Sequence, residues 1–260
     1  MSPEGAVKSL LSRAVDLNRA STAPVIKIFP LYSLSRRFYC FQVFGLLISG
    51  LLFVWLSRHA QFDLALSRIW FDPLSGHFPL QENVWLDLIN HRLLKQGVIA
   101  GALLGLLWGG VRREPRVVLV MLMFAVGPLV VGLLKATSAH SCPWDLTLFG
   151  GKAADFPLFG AVPENAGPGR CFPGGHASSG FSVMALFFLF YPQRQRLAWA
   201  CWGAGIALGL VMGYGQVMRG AHFFTHNLWA GWWVWVSQLA VFGWVDGYRR
   251  IKLRKSNGTT

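Results

Sequence analysis

Six apolar runs decide what this chain can be. They are Tyr39–Ser57, Gln96–Val111, Val117–Thr137, Ala177–Tyr191, Leu197–Met218 and Phe223–Val245. A helix needs roughly 20 apolar residues to cross the hydrocarbon core of a bilayer. Backbone polar groups find no water there, so a spanning segment must satisfy them internally, as a helix does. The second and fourth runs are short and are expected to extend into their flanks. The expected fold class is all-α, a polytopic integral membrane protein with six transmembrane helices and both termini on one side. Only 13% of the residues are charged and 53% are hydrophobic. The charged share is about half that of soluble domains, which sets aside one or two soluble domains as the reading of this length.

The formal net charge is +13, and its placement matters more than its size. The segment to residue 38, Arg112–Arg116, Pro192–Arg196 and the tail from 246 hold 16 of the 24 Lys and Arg, against four acids. The opposite face is nearly neutral. Excess Lys and Arg mark the cytoplasmic side, so both termini are expected to be cytoplasmic. The basic excess reads as an orientation signal and a contact for anionic lipid; no nucleic-acid partner is expected. The chain divides into a cytoplasmic segment 1–38, a membrane domain 39–245 and a basic cytoplasmic tail 246–260. Within residues 1–20, Val7, Leu10, Leu11, Ala14, Val15 and Leu17 alternate with Lys8, Arg13 and Arg19, a pattern for a short amphipathic helix on the membrane surface.

All seven histidines, His59, His77, His91, His140, His176, His222 and His226, fall on the non-cytoplasmic face or at helix ends opening onto it. The chemistry is expected there. Two longer segments lie on that face. Arg58–Lys95 carries Trp and Phe suited to headgroup depth, either capping the bundle or shaping lateral access for a lipid. Ser138–Gly175 is rich in Gly and Pro. In the fifth run Gly205, Gly209 and Gly213 recur every four residues, a spacing that lets helices approach closely; packing is the expected role.

Three stretches converge on the outer face. Lys135 ends the third run and is followed by His140-Ser-Cys-Pro-Trp-Asp145. Cys171-Phe-Pro-Gly-Gly-His176 opens the fourth run. Arg219-Gly-Ala-His222-Phe-Phe-Thr-His226-Asn227 joins the fifth to the sixth. The middle stretch is a loop feeding a helix N-terminus, where unpaired N–H groups favour an anion such as phosphate. Histidine beside it can exchange a proton near neutral pH. Cations for binding plus histidines for group transfer suit a phosphoryl substrate. Taken singly, each feature also has a plain structural reading: Lys135 and Arg219 as snorkelling residues at helix ends, His176 as a solvated residue after a turn. No P-loop pattern for a nucleotide is present, and no familiar zinc spacing.

Taken together, Lys135-x6-Cys142-Pro143, Pro173-Gly174-Gly175-His176 and Arg219-Gly-Ala-His222-Phe resemble the three signatures of the type 2 phosphatidic acid phosphatase superfamily. The resemblance covers roughly residues 96–245, and the variants look similar to a bacterial branch that includes lipid A phosphatases. It implies an enzyme: a membrane phosphatase acting on a lipid phosphate or diphosphate at the outer, periplasmic face of a bacterial inner membrane. It implies a phosphohistidine intermediate without a metal or other cofactor. Mapped onto this chain, His222 is the nucleophile and His176 the acid. Lys135 holds phosphate, and the Gly174 and Gly175 amides line the oxyanion site.

The chain departs from the family pattern at four positions. Cys142 stands for an arginine, for which Arg170 is a candidate replacement in space. Gly174 stands for a serine. Gln216 stands for an arginine, and Arg219 lies one turn later. His226 stands for an aspartate, with Asn227 beside it and Asp145 as a candidate carboxylate to orient His222. An alternative alignment makes His226 the nucleophile. Cys142 and Cys171 both lie on the outer face beside a motif, and a disulfide between them would tie the two loops together in an oxidising compartment. The rival readings are a lipid phosphotransferase on the same scaffold and a non-catalytic lipid-binding or transport protein. The residues name neither the lipid nor an oligomeric state.

Overall fold

The computed structural model describes residues 31–58, 61–256 and 258; the expected amphipathic helix in residues 1–20 and His59 lie outside these. The described residues are helical with no strand, and only two isolated bridges, Asp72–His77 and Leu146–Ala153, interrupt the pattern. Seven helices follow in order: α1 Arg36–Arg58, α2 Gln61–Arg68, α3 Leu94–Val111, α4 Pro115–Ala136, α5 Gly175–Phe190, α6 Gln195–Met218 and α7 Phe224–Ser256. A π-helical turn, Leu86–Leu93, leads directly into α3, and the middle of α5 tightens at Ser182–Leu186.

Among the described residues, four helices are long and apolar enough to cross a membrane: α1, α3 with its π turn, α4 and α6. α5 is apolar but shorter. The chain is thus a helical integral membrane protein. The outward faces of α1 and α3 expose large apolar side chains such as Phe41, Leu51, Leu103 and Leu107, as a lipid-facing surface requires.

The core forms where α4, α5, α6 and α7 meet, around Val120, Met123, Phe187, Phe188, Val234 and Phe242. Its closest crossing is α5 on α6. A Cβ on Gly180 would sit 2.7 Å from the Gly209 backbone, and one on Gly209 would sit 2.4 Å from the Phe181 ring. The four-residue glycine spacing therefore serves packing. This crossing presses the N-terminus of α5 against the α6–α7 junction, where the histidines lie.

Arg116 changes one part of the charge argument. It is only 1% exposed, and its guanidinium donates to the carbonyls of Phe188 (2.7 Å) and Tyr191. A cation there satisfies the last carbonyls of α5 and opposes its dipole. It is a cap rather than one more basic residue offered to lipid.

Candidate active site

Each stretch singled out in the sequence ends at the same place because a helix ends there. Lys135 lies in the last turn of α4. Its Nζ is 3.7 Å from where a Cβ on Gly175 would be, so the amine rests over the first residue of α5. Among the described residues no carboxylate pairs with Lys135. His222 sits in the link between α6 and α7, and His226 in the first turn of α7; both are buried. Their rings lie 6.2 Å apart. Gly175, His176 and Lys135 are half-buried and form the accessible side of the cluster, with His222 behind them.

Cys142 and Cys171 are joined in a disulfide. Cys171 is the hub of the cluster. Its carbonyl accepts the Nδ1–H of His226 at 3.0 Å, its amide donates to the His140 carbonyl at 2.9 Å, and its sulfur lies 3.3 Å from Nδ1 of His222. The bond to Cys171 fixes the His226 tautomer and leaves Nε2 carrying the lone pair. Cys142, Cys171 and His222 are close enough to share a metal, but two sulfurs bonded to each other offer no thiolate.

Burial holds the His222 imidazole well below the usual histidine range, and positive charge at Lys135, His226 and His176 pushes the same way. At neutral pH His222 is therefore uncharged and keeps a lone pair for attack. His140 is also lowered, again by burial; its ring stacks on Phe156 at 4.3 Å and its Nε2 donates to the Leu158 carbonyl.

Several expected roles are corrected by the contacts. The Gly174 amide donates to the His226 carbonyl at 2.8 Å, so it is spent on packing the loop and cannot line an oxyanion site; Gly175 remains. Asp145 accepts the Cys142 amide at 3.1 Å and closes its own short turn, rather than orienting a histidine. Arg219 donates to the Gln81 carbonyl at 3.0 Å and to Asp87 at 3.3 Å. Its charge is committed to the segment between α1 and α3, because Asp87 is the carboxylate within reach. The Arg170 side chain is exposed and its backbone is left-handed, with its amide on the Ser138 carbonyl; among the described residues no contact brings it to the histidines. Asn227 is fully buried and donates to the carbonyls of Gly213 and Phe223, which fixes α7 to α6 and not His222.

The segment between α1 and α3 contributes residues that sequence reasoning passed over. The Nε2 of His176 donates to the backbone carbonyl of Asn90 at 2.9 Å. Asn90 also bonds Gln216, the residue standing where the family carries arginine. Asp63 accepts both the amide (3.0 Å) and the hydroxyl of Thr225, at the start of α7. The signal for Asp63 was a lone polar residue inside an apolar stretch, Phe62–Leu66, whereas Asn90 stands among Asp87, His91 and Arg92 and carries no such mark. His77 lies on the exposed surface, with Nδ1 on the Ser75 carbonyl.

No curated protein and no solved structure matches the chain. The family model of the PAP2 superfamily matches residues 116–250. That stretch exceeds half the chain and runs from Arg116 through all of the cluster just described. On that match, and with Lys135, His176 and His222 in the family's order at converging helix ends, the chain belongs to the PAP2 superfamily.

Proposed function

We propose that this protein is a lipid phosphate or diphosphate phosphatase working at the extracytoplasmic face of a six-span membrane domain. Membership of the superfamily supports a phosphatase-type activity on phosphate esters. The single observation that carries the finer reading is a neutral, buried His222 fronted by the Lys135 amine and by His176 at the start of α5. In the first step Nε2 of His222 attacks phosphorus and the bond from phosphorus to the leaving oxygen breaks. His176 gives that oxygen its proton. In the second step water attacks the phosphohistidine and gives its proton to His176, and His222 leaves neutral. Lys135 and the Gly175 amide hold the phosphoryl oxygens, where donors aimed at developing charge lower the barrier.

Two observations support a lipid as substrate. The cluster lies at helix ends, where headgroups are. Below it, an apolar cavity of about 770 Å³ runs between α1, α6 and α7, lined by Phe41, Phe53, Trp202, Leu228, Trp232 and Trp235. Its lining at Leu228 is two residues beyond His226.

A second reading makes His226 the nucleophile. It is favoured by the Nδ1–H bond to the Cys171 carbonyl, the kind of anchor that orients a reacting imidazole. His222 is preferred because Lys135 is the foremost charge acting on it. The deciding experiment is phosphate release by purified protein in detergent with chelator present. The substrates are phosphatidic acid, phosphatidylglycerophosphate, an isoprenyl diphosphate and lipid A. Release lost in His222→Ala, with a ³²P-labelled intermediate missing from that variant alone, supports the proposal. Release that survives in His222→Ala and disappears in His226→Ala moves the nucleophile. A phosphoryl group recovered on an added lipid acceptor, and not in water, makes the enzyme a phosphotransferase.

A further inference from the structure

The sequence Trp85-Leu-Asp-Leu-Ile-Asn-His-Arg-Leu-Leu94 carries an asparagine that the fold buries. Asn90 is only 6% exposed, and burying a carboxamide costs free energy unless its polar atoms are bonded. Here they are. Nδ2 donates to the Val211 carbonyl at 2.9 Å, and Oδ1 accepts from Nε2 of Gln216 at 3.3 Å. The side chain fits because residue 215 is glycine: a Cβ there would lie 2.5 Å from Nδ2. Asn90 is thus clamped onto α6.

Its main chain is arranged as unusually. In an α-helix the Leu94 amide would bond the carbonyl four residues back, that of Asn90. In this π turn it bonds the Ile89 carbonyl, five residues back. The Asn90 carbonyl is released from that partner, and it accepts the Nε2–H of His176 at 2.9 Å. Local π turns of this kind recur at functional sites.

We propose that the π turn Leu86–Leu93 is the positioning device for His176, with Asn90 as the positioning residue whose carbonyl holds the imidazole. The inference rests on the reading of His176 as the acid. A carbonyl can only accept, so Nε2 keeps its proton throughout. Nδ1 is then the nitrogen that works. As the bond from His222 to phosphorus forms and the bond to the leaving oxygen breaks, the leaving alkoxide takes the Nδ1 proton, and the electron pair stays on Nδ1.

The test uses full-length protein in detergent and two substrates. Dodecyl phosphate leaves as an alkoxide and needs the proton; 4-nitrophenyl phosphate leaves as a phenolate and needs it far less. His176→Ala should lose about 100-fold or more in kcat on dodecyl phosphate and much less on the nitrophenyl ester, the signature of a lost acid. Asn90→Ala should show the same selectivity at about tenfold, with KM little changed. Adding Asn90→Ala to His176→Ala should cost nothing further. Size-exclusion chromatography checks that the variants remain monodisperse; if Asn90→Ala does not, Asn90→Ser is read in the same way. An Asn90 loss that is equal on both substrates, or that adds to His176→Ala, overturns the proposal and leaves Asn90 as packing. A His176→Ala variant with no selectivity removes the acid reading itself, which is a different failure.

Discussion

The side-chain oxygen of Asn227 stands 2.3 Å from where a Cβ on residue 174 would be. Gly174 and Asn227 are therefore matched to each other. The family's second motif has serine at 174, and the departure follows from a neighbour 53 positions away in sequence, whose Nδ2 locks α7 to α6. Gly174→Ser restores the family residue and is expected to destabilise the protein by about 1–3 kcal/mol through overpacking. Asn227→Ala alone costs a similar amount by leaving the Gly213 and Phe223 carbonyls without that donor. Because each change relieves part of the other, the double variant should lose clearly less than the sum of the two. Thermal unfolding of the four proteins in one detergent checks this. Additive losses would show that the two residues do not compete for one space.

The Cys142–Cys171 bridge is expected to be needed for activity as well as stability. It closes a loop of 29 residues, for which the chain-entropy account gives about 3–4 kcal/mol. Cys171 also presents its carbonyl to His226 and its sulfur to His222. Cys142→Ser should thus lower thermal stability and reduce phosphate release at a temperature where the protein is still folded. Adding reductant to wild type should do the same. Release unchanged in both, with reduction confirmed by thiol labelling, would separate the bridge from the site.

What could be read from the sequence, and what could not, divides along a physical line. Apolar run length shows where helices form, because lipid admits few alternatives. The positions of Lys135, His176 and His222 at helix ends follow from the same runs. The bridge could be anticipated because both cysteines adjoin motifs on one face. The fate of Arg219 could not. Its partners, Gln81 and Asp87, lie more than a hundred residues earlier, and no periodicity encodes a tertiary hydrogen bond. The same holds for Asp145, which could serve a histidine or its own turn and does the second. Asn90 was missed because the shift from four-residue to five-residue bonding leaves no mark in hydrophobic pattern.

The pH dependence of activity should reveal Lys135 through His222. A nucleophilic imidazole must be neutral. Burial and then the Lys135 charge hold the His222 proton affinity down, so the acid limb of kcat/KM should lie below the ordinary histidine value of 6.5. Lys135→Gln removes one cause. His222 then keeps its proton to higher pH, and the limb moves upward. KM should rise as well, since a phosphate ligand is lost. Profiles on a short-chain phosphate with both proteins measure the shift. A limb that stays in place would mean that the Lys135 charge does not act on the reacting histidine.

Asp63 gives the opposite dependence, in stability. Burial raises its carboxyl from 3.8 to about 6, although its bonds to Thr225 and the Phe224 amide favour the charged form. The nearby Asp155 is a smaller contributor to that rise. The folded state therefore holds the proton more tightly than the unfolded state between these values. Stability from this group is full below pH 3.8 and is lost as pH rises to about 6, by about 3 kcal/mol. Other carboxylates titrate in the same range, so the readout is the difference from Asp63→Asn, whose carboxamide keeps the shape and does not titrate. The unfolding temperature of the variant should gain on wild type as pH rises from 4 to 6 and stay level above that. A constant difference would mean that Asp63 is not held protonated at the α7 terminus. Since Thr225 immediately precedes His226, the same titration carries a test of the site: if Asp63 only anchors the helix start, Asp63→Asn should leave the pH profile of kcat/KM unchanged while flattening that of stability.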